Sequence, residues 1–243
     1  MDDAVLRGDM VDSLAHESKG VLHSEQVALA MRSVPREPFV PDEDRAYVDQ
    51  ATQHRGARVL APSTVATLLE ALRAEPGDEV LVVGAGVGYT VAVLAEIAGA
   101  RHVHAVDIDR GTVLDARRNL ADAGYDAALV DCRDGAKGLP EYAPFDRILV
   151  EAAGADAPAA LEAQLAPGGR LVMPLGLPEQ TLTAVEDGTV VGEFGPTEFD
   201  PLLVEGEQRA GVERNRTARE ERERAARESQ SRTGWEQEWI DWD

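Results

Sequence analysis

The chain has 243 residues, with 45 acidic side chains against 24 basic ones and a formal net charge of −21. A surface this acidic repels phosphate backbones and anionic bilayers, so nucleic acid and membranes are both poor partners. No apolar run reaches the roughly 18 residues of a membrane span, and Met1-Asp-Asp-Ala4 lacks the basic start of a signal peptide. Cys132 is the one cysteine, which excludes an internal disulfide and a cysteine-built metal site. The expectation is a cytoplasmic protein with one α/β domain and decorations.

Taken in order, residues 3–16 carry a loosely apolar face of Val5, Leu6, Met10, Val11 and Leu14, which predicts a helix that Gly20 ends. Ser24 is placed to cap a second helix, Glu25 to Arg32. Three prolines in Val34-Pro-Arg-Glu-Pro-Phe-Val-Pro41 favour extended chain, continued through Asp49 and followed by a polar loop to Leu60. Pro62-Ser63-Thr64 opens a helix with Val65, Leu68, Leu69 and Leu72 on one side, and Pro76-Gly77-Asp78 leads out of it.

Strand and helix patterns alternate from there. Strands are expected at 80–83, 102–106, 127–131, 145–151 and 170–175, with helices at 90–97, 110–123 and 158–165. Such alternation implies a mostly parallel sheet with helices on both faces. Residues 181–194, with Asp187-Gly188 between two β-forming runs, read as an antiparallel hairpin at the sheet edge. Beyond Gly206 the chain is dense in Arg and Glu at helical spacing. There Trp235, Trp239 and Trp242 share a helical face that would dock on the parent domain or bind a partner. The domain reading is therefore 1–205, made of a substrate-loop part (1–75) and a cofactor-binding core (76–205), with a charged helical extension over 206–243.

The stretch with the clearest chemistry is Glu79-Val-Leu-Val-Val-Gly-Ala-Gly-Val-Gly-Tyr-Thr90. A short apolar strand runs straight into Gly84, Gly86 and Gly88 and then into a helix, so the backbone can turn tightly and approach a ligand. A dinucleotide loop needs G-x-G-x-x-G, and Tyr89 occupies the position of its third glycine. A G-x-x-x-x-G-K-[ST] phosphate loop is absent. Ligands of open α/β sheets sit beyond the C-terminal strand ends. Asp107 ends the second strand, where a carboxylate can accept from both hydroxyls of a ribose, with Ile108 beside it. Asp134-Gly135 follows the third strand and suits an exocyclic amine; Asp109 suits an N-cap. His102 and His104 share a strand face without a third ligand nearby, and Cys132 is expected to pack as a small apolar residue.

G-x-G-x-G after an apolar strand is similar to the loop of S-adenosylmethionine-dependent methyltransferases. Longer segments narrow the resemblance. Val34-Pro-Arg-Glu-Pro-Phe-Val-Pro41, Ala46-Tyr-Val-Asp49, Gly84-Ala-Gly-Val-Gly-Tyr89, Pro144-Phe-Asp-Arg-Ile148 with Ala152-Ala153, and Gln164-Leu165 with Gly168-Gly-Arg-Leu-Val172 resemble the protein-L-isoaspartate O-methyltransferase family. The first two are distinctive of it. The acidic, lysine-poor composition is similar to that of proteins from salt-loving archaea; only Lys19 and Lys137 are lysines.

The resemblance implies a doubly wound, mostly parallel seven-stranded sheet with an antiparallel edge hairpin, and S-adenosyl-L-methionine as cofactor. It also implies proteins or peptides bearing isoaspartyl residues as substrates. Carried over, Gly84, Ala85, Gly86, Gly88, Tyr89, Asp107, Ile108, Asp134 and Gly135 would bind the cofactor. One departure concerns the substrate loop, where the family has GQTIS-x-P and this chain has Gly56-Ala-Arg-Val-Leu-Ala-Pro62. Leu60 takes the place of the serine, so that Arg58 could instead grip the reacting carboxylate, with Ser63 or Thr64 as sources of a hydroxyl. Three readings follow: an isoaspartyl methyltransferase, a methyltransferase for another carboxylate, or a cofactor-binding interaction protein without catalysis.

Overall fold

The computed structural model describes residues 3–54, 57–176 and 178–204. Three apolar strands, β3 (Val80–Val83), β4 (Val103–Asp107) and β6 (Phe145–Val150), form the middle of a seven-stranded sheet. Each has apolar residues on both faces. In β3, Val80 and Val82 face one hydrophobic cluster while Leu81 and Val83 face the other, as expected of strands buried on both sides. The remaining strands are β5 (Leu129–Cys132), β7 (Leu165–Leu175), β8 (Gln180–Glu186) and β9 (Thr189–Thr197). The order is β5-β4-β3-β6-β7-β8-β9, parallel from β5 to β7 and antiparallel beyond. The order reverses between β3 and β6, and a ligand crevice opens at such a switch point.

Helices cover the two faces unequally. α1 (Asp3–Ala15), α2 (Glu25–Ser33), α3 (Pro62–Leu72), α4 (Tyr89–Ala98) and α5 (Arg110–Asp122) share the larger cluster. The opposite face is covered by Leu161 of the short helix α6 (Ala159–Glu162), with Leu139 and Leu202. The expected caps are present: Ser24 accepts from the Val27 amide and Asp109 from the Thr112 amide. Asp187 and Gly188 both adopt positive φ (48° and 69°), the backbone a two-residue hairpin turn requires.

Four local expectations are corrected. Pro38 begins no extended run; Glu37–Phe39 is a single 3-10 turn, a place where proline's fixed φ is compatible with helix. The segment that continues it also turns, at Glu43–Arg45, and the polar loop to Leu60 contains a hairpin, β1 (Thr52–His54) with β2 (Ala57–Val59). The helix expected over 158–165 spans only Ala159–Glu162, because Leu165 already pairs with Phe145. Cys132 is exposed rather than packed. The charged, Trp-bearing extension over 206–243 and Gly56 lie outside the described residues.

Two polar anchors, Arg36 buried and Asp49 exposed, explain the paired N-terminal motifs. Arg36, 1% exposed, donates from Nε to the Ala46 carbonyl (2.9 Å) and from Nη2 to the Leu60 carbonyl (2.5 Å). Its guanidinium lies 4.5 Å over the Tyr89 ring, which meets Phe39 edge-on at 5.6 Å. One side chain thus ties the first motif to the second, to the segment before α3 and to the start of α4. Asp49 pairs with Lys19 at 2.6 Å and accepts from the Ser63 amide at 2.9 Å. It caps α3 from a distance, since Ala61 at the N-cap offers no side-chain acceptor.

Replacing Arg36 by methionine keeps most of the volume but leaves two buried carbonyls unpaired. The expected loss is about 2–4 kcal/mol, read as a lower urea midpoint at unchanged slope. Arg36→Lys should recover less than half of it, because an ammonium cannot reproduce the planar fork.

Candidate active site at the parallel strand ends

The glycine bend connects β3 to α4 with Gly84, Gly86 and Gly88 all at positive φ (90°, 52° and 94°). The Gly84 and Ala85 amides both donate to the Val106 carbonyl of β4, at 2.8 and 3.0 Å. From the other side Asn119 of α5 donates to the Val87 carbonyl at 3.0 Å. A side chain at Gly88 would press on Leu120, the Ala116 carbonyl and Phe39, so the missing Cβ is what lets α5 pack against the bend.

Asp107 stands at the end of β4 as expected. Its Oδ2 accepts from the Gly86 amide (3.1 Å) and its Oδ1 from the Asp109 amide (3.0 Å). Burial raises its pKa, while those amides pull it down. Each oxygen keeps acceptor capacity for a hydroxyl donor. Asp134 follows β5, its Oδ1 accepting from the Ala136 amide at 3.1 Å and Lys137 lying 3.4 Å from its Oδ2. A Cβ on Gly135 would sit 2.4 Å from Val83 Cγ1, so this backbone is pressed onto β3 and admits no side chain. The buried amide of Gln164 fixes the following turn, accepting from Leu139 and donating to the Lys137 and Ala160 carbonyls. Beside Asp134 lies a cavity of about 470 Å³ whose walls include Ile108, Cys132, Asp134 and Gly138.

On the other side of the bend is a narrower crevice bounded by Arg58, Leu60, Gly86, Tyr89, Thr90 and Glu151. Arg58 reaches across from β2 and donates to the Glu198 carbonyl at 2.8 Å. Leu60 is 9% exposed and belongs to the larger apolar cluster. Ser63 is absent from the crevice walls; its amide is held by Asp49. Tyr89 contributes through its ring, packed between Phe39 and Arg36.

Sequence reasoning missed Glu151. It follows directly on β6, its amide donating to the Val83 carbonyl at 2.8 Å, and its side chain lies against Gly84. Burial pushes its pKa up to about 8; Thr90 hydrogen-bonds to it, and the Asp107 carboxylate adds like charge. The signal was present in the sequence: an acid terminating an apolar parallel strand, as Asp107 does. His102 and His104 instead face Glu79, at 2.7 and 3.6 Å, where β3 and β4 begin. Among the described residues no cluster of three or more His, Cys, Asp or Glu can hold a metal ion.

Residues 7–193 match the family model described as protein-L-isoaspartate(D-aspartate) O-methyltransferase. The chain is 41% identical over 214 residues to a protein-L-isoaspartate O-methyltransferase of Rhodopseudomonas palustris, spanning 83% of this chain and 95% of that protein. A second, from Methylorubrum extorquens, is 47% identical over 184 residues, 72% of this chain and 78% of its own length. Among solved structures, a Plasmodium falciparum protein in complex with S-adenosyl-L-homocysteine superposes with a TM-score of 0.71. That match covers 81% of this chain and 98% of that one at 19% identity, a likeness of fold. Matched over most of its length by the family model and by relatives more than two-fifths identical, the chain belongs to the protein-L-isoaspartate(D-aspartate) O-methyltransferase family.

Proposed function

We propose that this protein transfers a methyl group from S-adenosylmethionine to the misplaced carboxylate of isoaspartyl residues in damaged proteins. The resulting ester can collapse to a succinimide that reopens as normal aspartate. The observation that carries the reading is the row of groups across neighbouring strand ends: Asp134 after β5, Asp107 on β4 and the glycine bend after β3. The residues fit the cofactor. Asp134 suits the adenine amine and Asp107 the ribose hydroxyls, while Gly84, Ala85, Gly86, Gly88, Ile108 and Gly135 allow backbone-close approach. The cofactor carries no phosphate, which agrees with a loop built for closeness rather than as an anion cradle.

When bound, the cofactor supplies a methyl group already activated by its positively charged sulfur. The chain's own work is placement. The substrate carboxylate is ionised at neutral pH, so no residue need remove a proton. Rate comes from holding the oxygen in line with the methyl carbon and from replacing water around the anion by fixed donors. Aligned on Gly56 and Pro62, Leu60 replaces the family's serine. Leu60 is buried and its carbonyl is gripped by Arg36, so it shapes the loop and donates nothing to substrate. We assign the donor role to Arg58, a fork able to grip a carboxylate bidentately from the crevice wall. Ser63 belongs to the α3 start through Asp49 and supports the loop from behind. The buried Leu60 also favours a second reading, a different carboxylate as native substrate.

We assign the methyltransferase domain to 1–205; the family match covers residues 7–193. The acidic, lysine-poor surface is suited to a salt-rich archaeal cytoplasm.

The function is tested by methyl transfer to an isoaspartyl peptide against its aspartyl counterpart at molar salt; transfer to neither rejects it. Arg58→Ala should lower kcat/KM for the isoaspartyl peptide by about 10²-fold, the effect of removing one charged transition-state donor. Leu60→Ser should raise it by no more than about 10-fold if Arg58 already serves that role; a gain of about 10²-fold or more assigns the native substrate to another carboxylate. Melting temperature should climb as potassium chloride rises from about 0.1 M to about 1 M, where the screening length falls to about 3 Å. A flat response would remove the salt-adapted setting.

A further inference from the structure

Glu151 has no role in the reaction as described, yet its placement is specific. Its Oε1 is shielded from solvent and has no hydrogen-bond partner. Arg36 and Arg58 line the same crevice, but no hydrogen bond or ion pair joins either to Glu151: Arg36 donates from Nε and Nη2 to the Ala46 and Leu60 carbonyls with Nη1 left unpartnered, and Arg58 donates from Nη1 to the Glu198 carbonyl. The other neighbours are Thr90 on α4, which hydrogen-bonds to the carboxyl, the neutral Tyr89 ring, and Asp107 on β4, a charge of the same sign. An acid held in such surroundings needs a cationic donor with no acceptor atoms.

Strand order says what that donor is. Reading across the sheet as β5, β4, β3, β6, the groups at the strand ends are Asp134, Asp107, the glycine bend and Glu151. An elongated ligand with its adenine at Asp134 and its ribose at Asp107 carries its sulfur over the bend. Its amino-acid end then lies toward β6. We propose that Glu151 is a binding residue for the α-ammonium of the cofactor's amino-acid end, with Oε1 accepting from it. This rests on the cofactor assignment made above.

The consequence is a coupled neutralisation. Free Glu151 is protonated at neutral pH because burial and Asp107 oppose its charge, and its pKa lies near 8. The arriving ammonium stabilises the carboxylate, so Glu151 releases its proton on binding. The pair is then neutral overall, and the substrate anion does not meet a bare carboxylate.

The experiment is calorimetric titration of the full chain at pH 7 with two probes. S-Adenosylhomocysteine has the amino-acid end; 5′-methylthioadenosine keeps the nucleoside and sulfur but lacks it. Repeating each titration in buffers of different ionisation enthalpy counts the protons exchanged. With S-adenosylhomocysteine the wild type should release close to one proton, and with methylthioadenosine none. Glu151→Gln should bind S-adenosylhomocysteine about 10-fold more weakly or worse and release no proton. Its affinity for methylthioadenosine should be unchanged, which also shows that the variant is folded. Equal affinity of both proteins for S-adenosylhomocysteine, or wild-type binding without proton release, overturns the assignment while leaving the function intact. If the wild type binds neither probe, the cofactor reading itself fails and the role of Glu151 falls with it.

Discussion

The site depends on a backbone that turns from strand to helix between Val83 and Tyr89. Three of the intervening residues occupy the left-handed region, which side chains rarely tolerate, and each is glycine. The bend is held from both sides. β4 supplies the Val106 carbonyl and the Asp107 carboxylate, while α5 supplies Asn119 and packs against Gly88. Asp107 accepts from the Gly86 amide with one oxygen and from the Asp109 amide with the other, so the same carboxylate that closes β4 also fixes the bend.

The N-terminal motifs are understood through the same bend. Arg36 does not reach the strand ends to do chemistry; it lies over Tyr89, the first residue of α4, and grips the carbonyl of Leu60. The segment before α3 and the glycine bend before α4 are thus joined by one buried cation. Burial works against that cation's charge, but two carbonyls and an aromatic face compensate. The Arg36 contact is to backbone, so it holds this segment whatever side chain stands at position 60, and the Leu60 side chain is free to join the larger apolar cluster.

The sheet was legible because its strands are short, apolar runs bounded by glycines, prolines and acids, a pattern that survives burial on both faces. The strand-end placement of Asp107 and Asp134 was legible because each follows a short apolar run. The β1–β2 hairpin was not, since Thr52-Gln-His54 and Ala57-Arg-Val59 carry only three residues each and no alternating pattern of useful length. Asp49 was readable as part of a motif but not as a cap, because its helix lies more than ten residues away in sequence. The two-layer asymmetry was hidden for a similar reason: periodicity marks an apolar helix face but not which side of the sheet it meets. Glu151 obeys the same strand-end rule as Asp107, but in sequence it closes the apolar run 145–151 and reads as the strand's last residue; its shielding against Gly84 and Thr90 exists only in the fold.

The distribution of acid in this protein has two different physical meanings. Over the surface, carboxylates act collectively through long-range repulsion, which salt reduces, and no single one matters much. At the strand ends, shielding makes each carboxylate count. Asp107 is stabilised by backbone amides and so can stay charged while accepting from neutral hydroxyls. Glu151 has no such amides, only a hydroxyl and a like-charged neighbour, so its charge waits for a cation. An enzyme that must bring an anionic carboxylate to a cationic sulfur cannot place an uncompensated acid beside the path. A carboxyl that is neutral when empty and paired when loaded satisfies that constraint in both states.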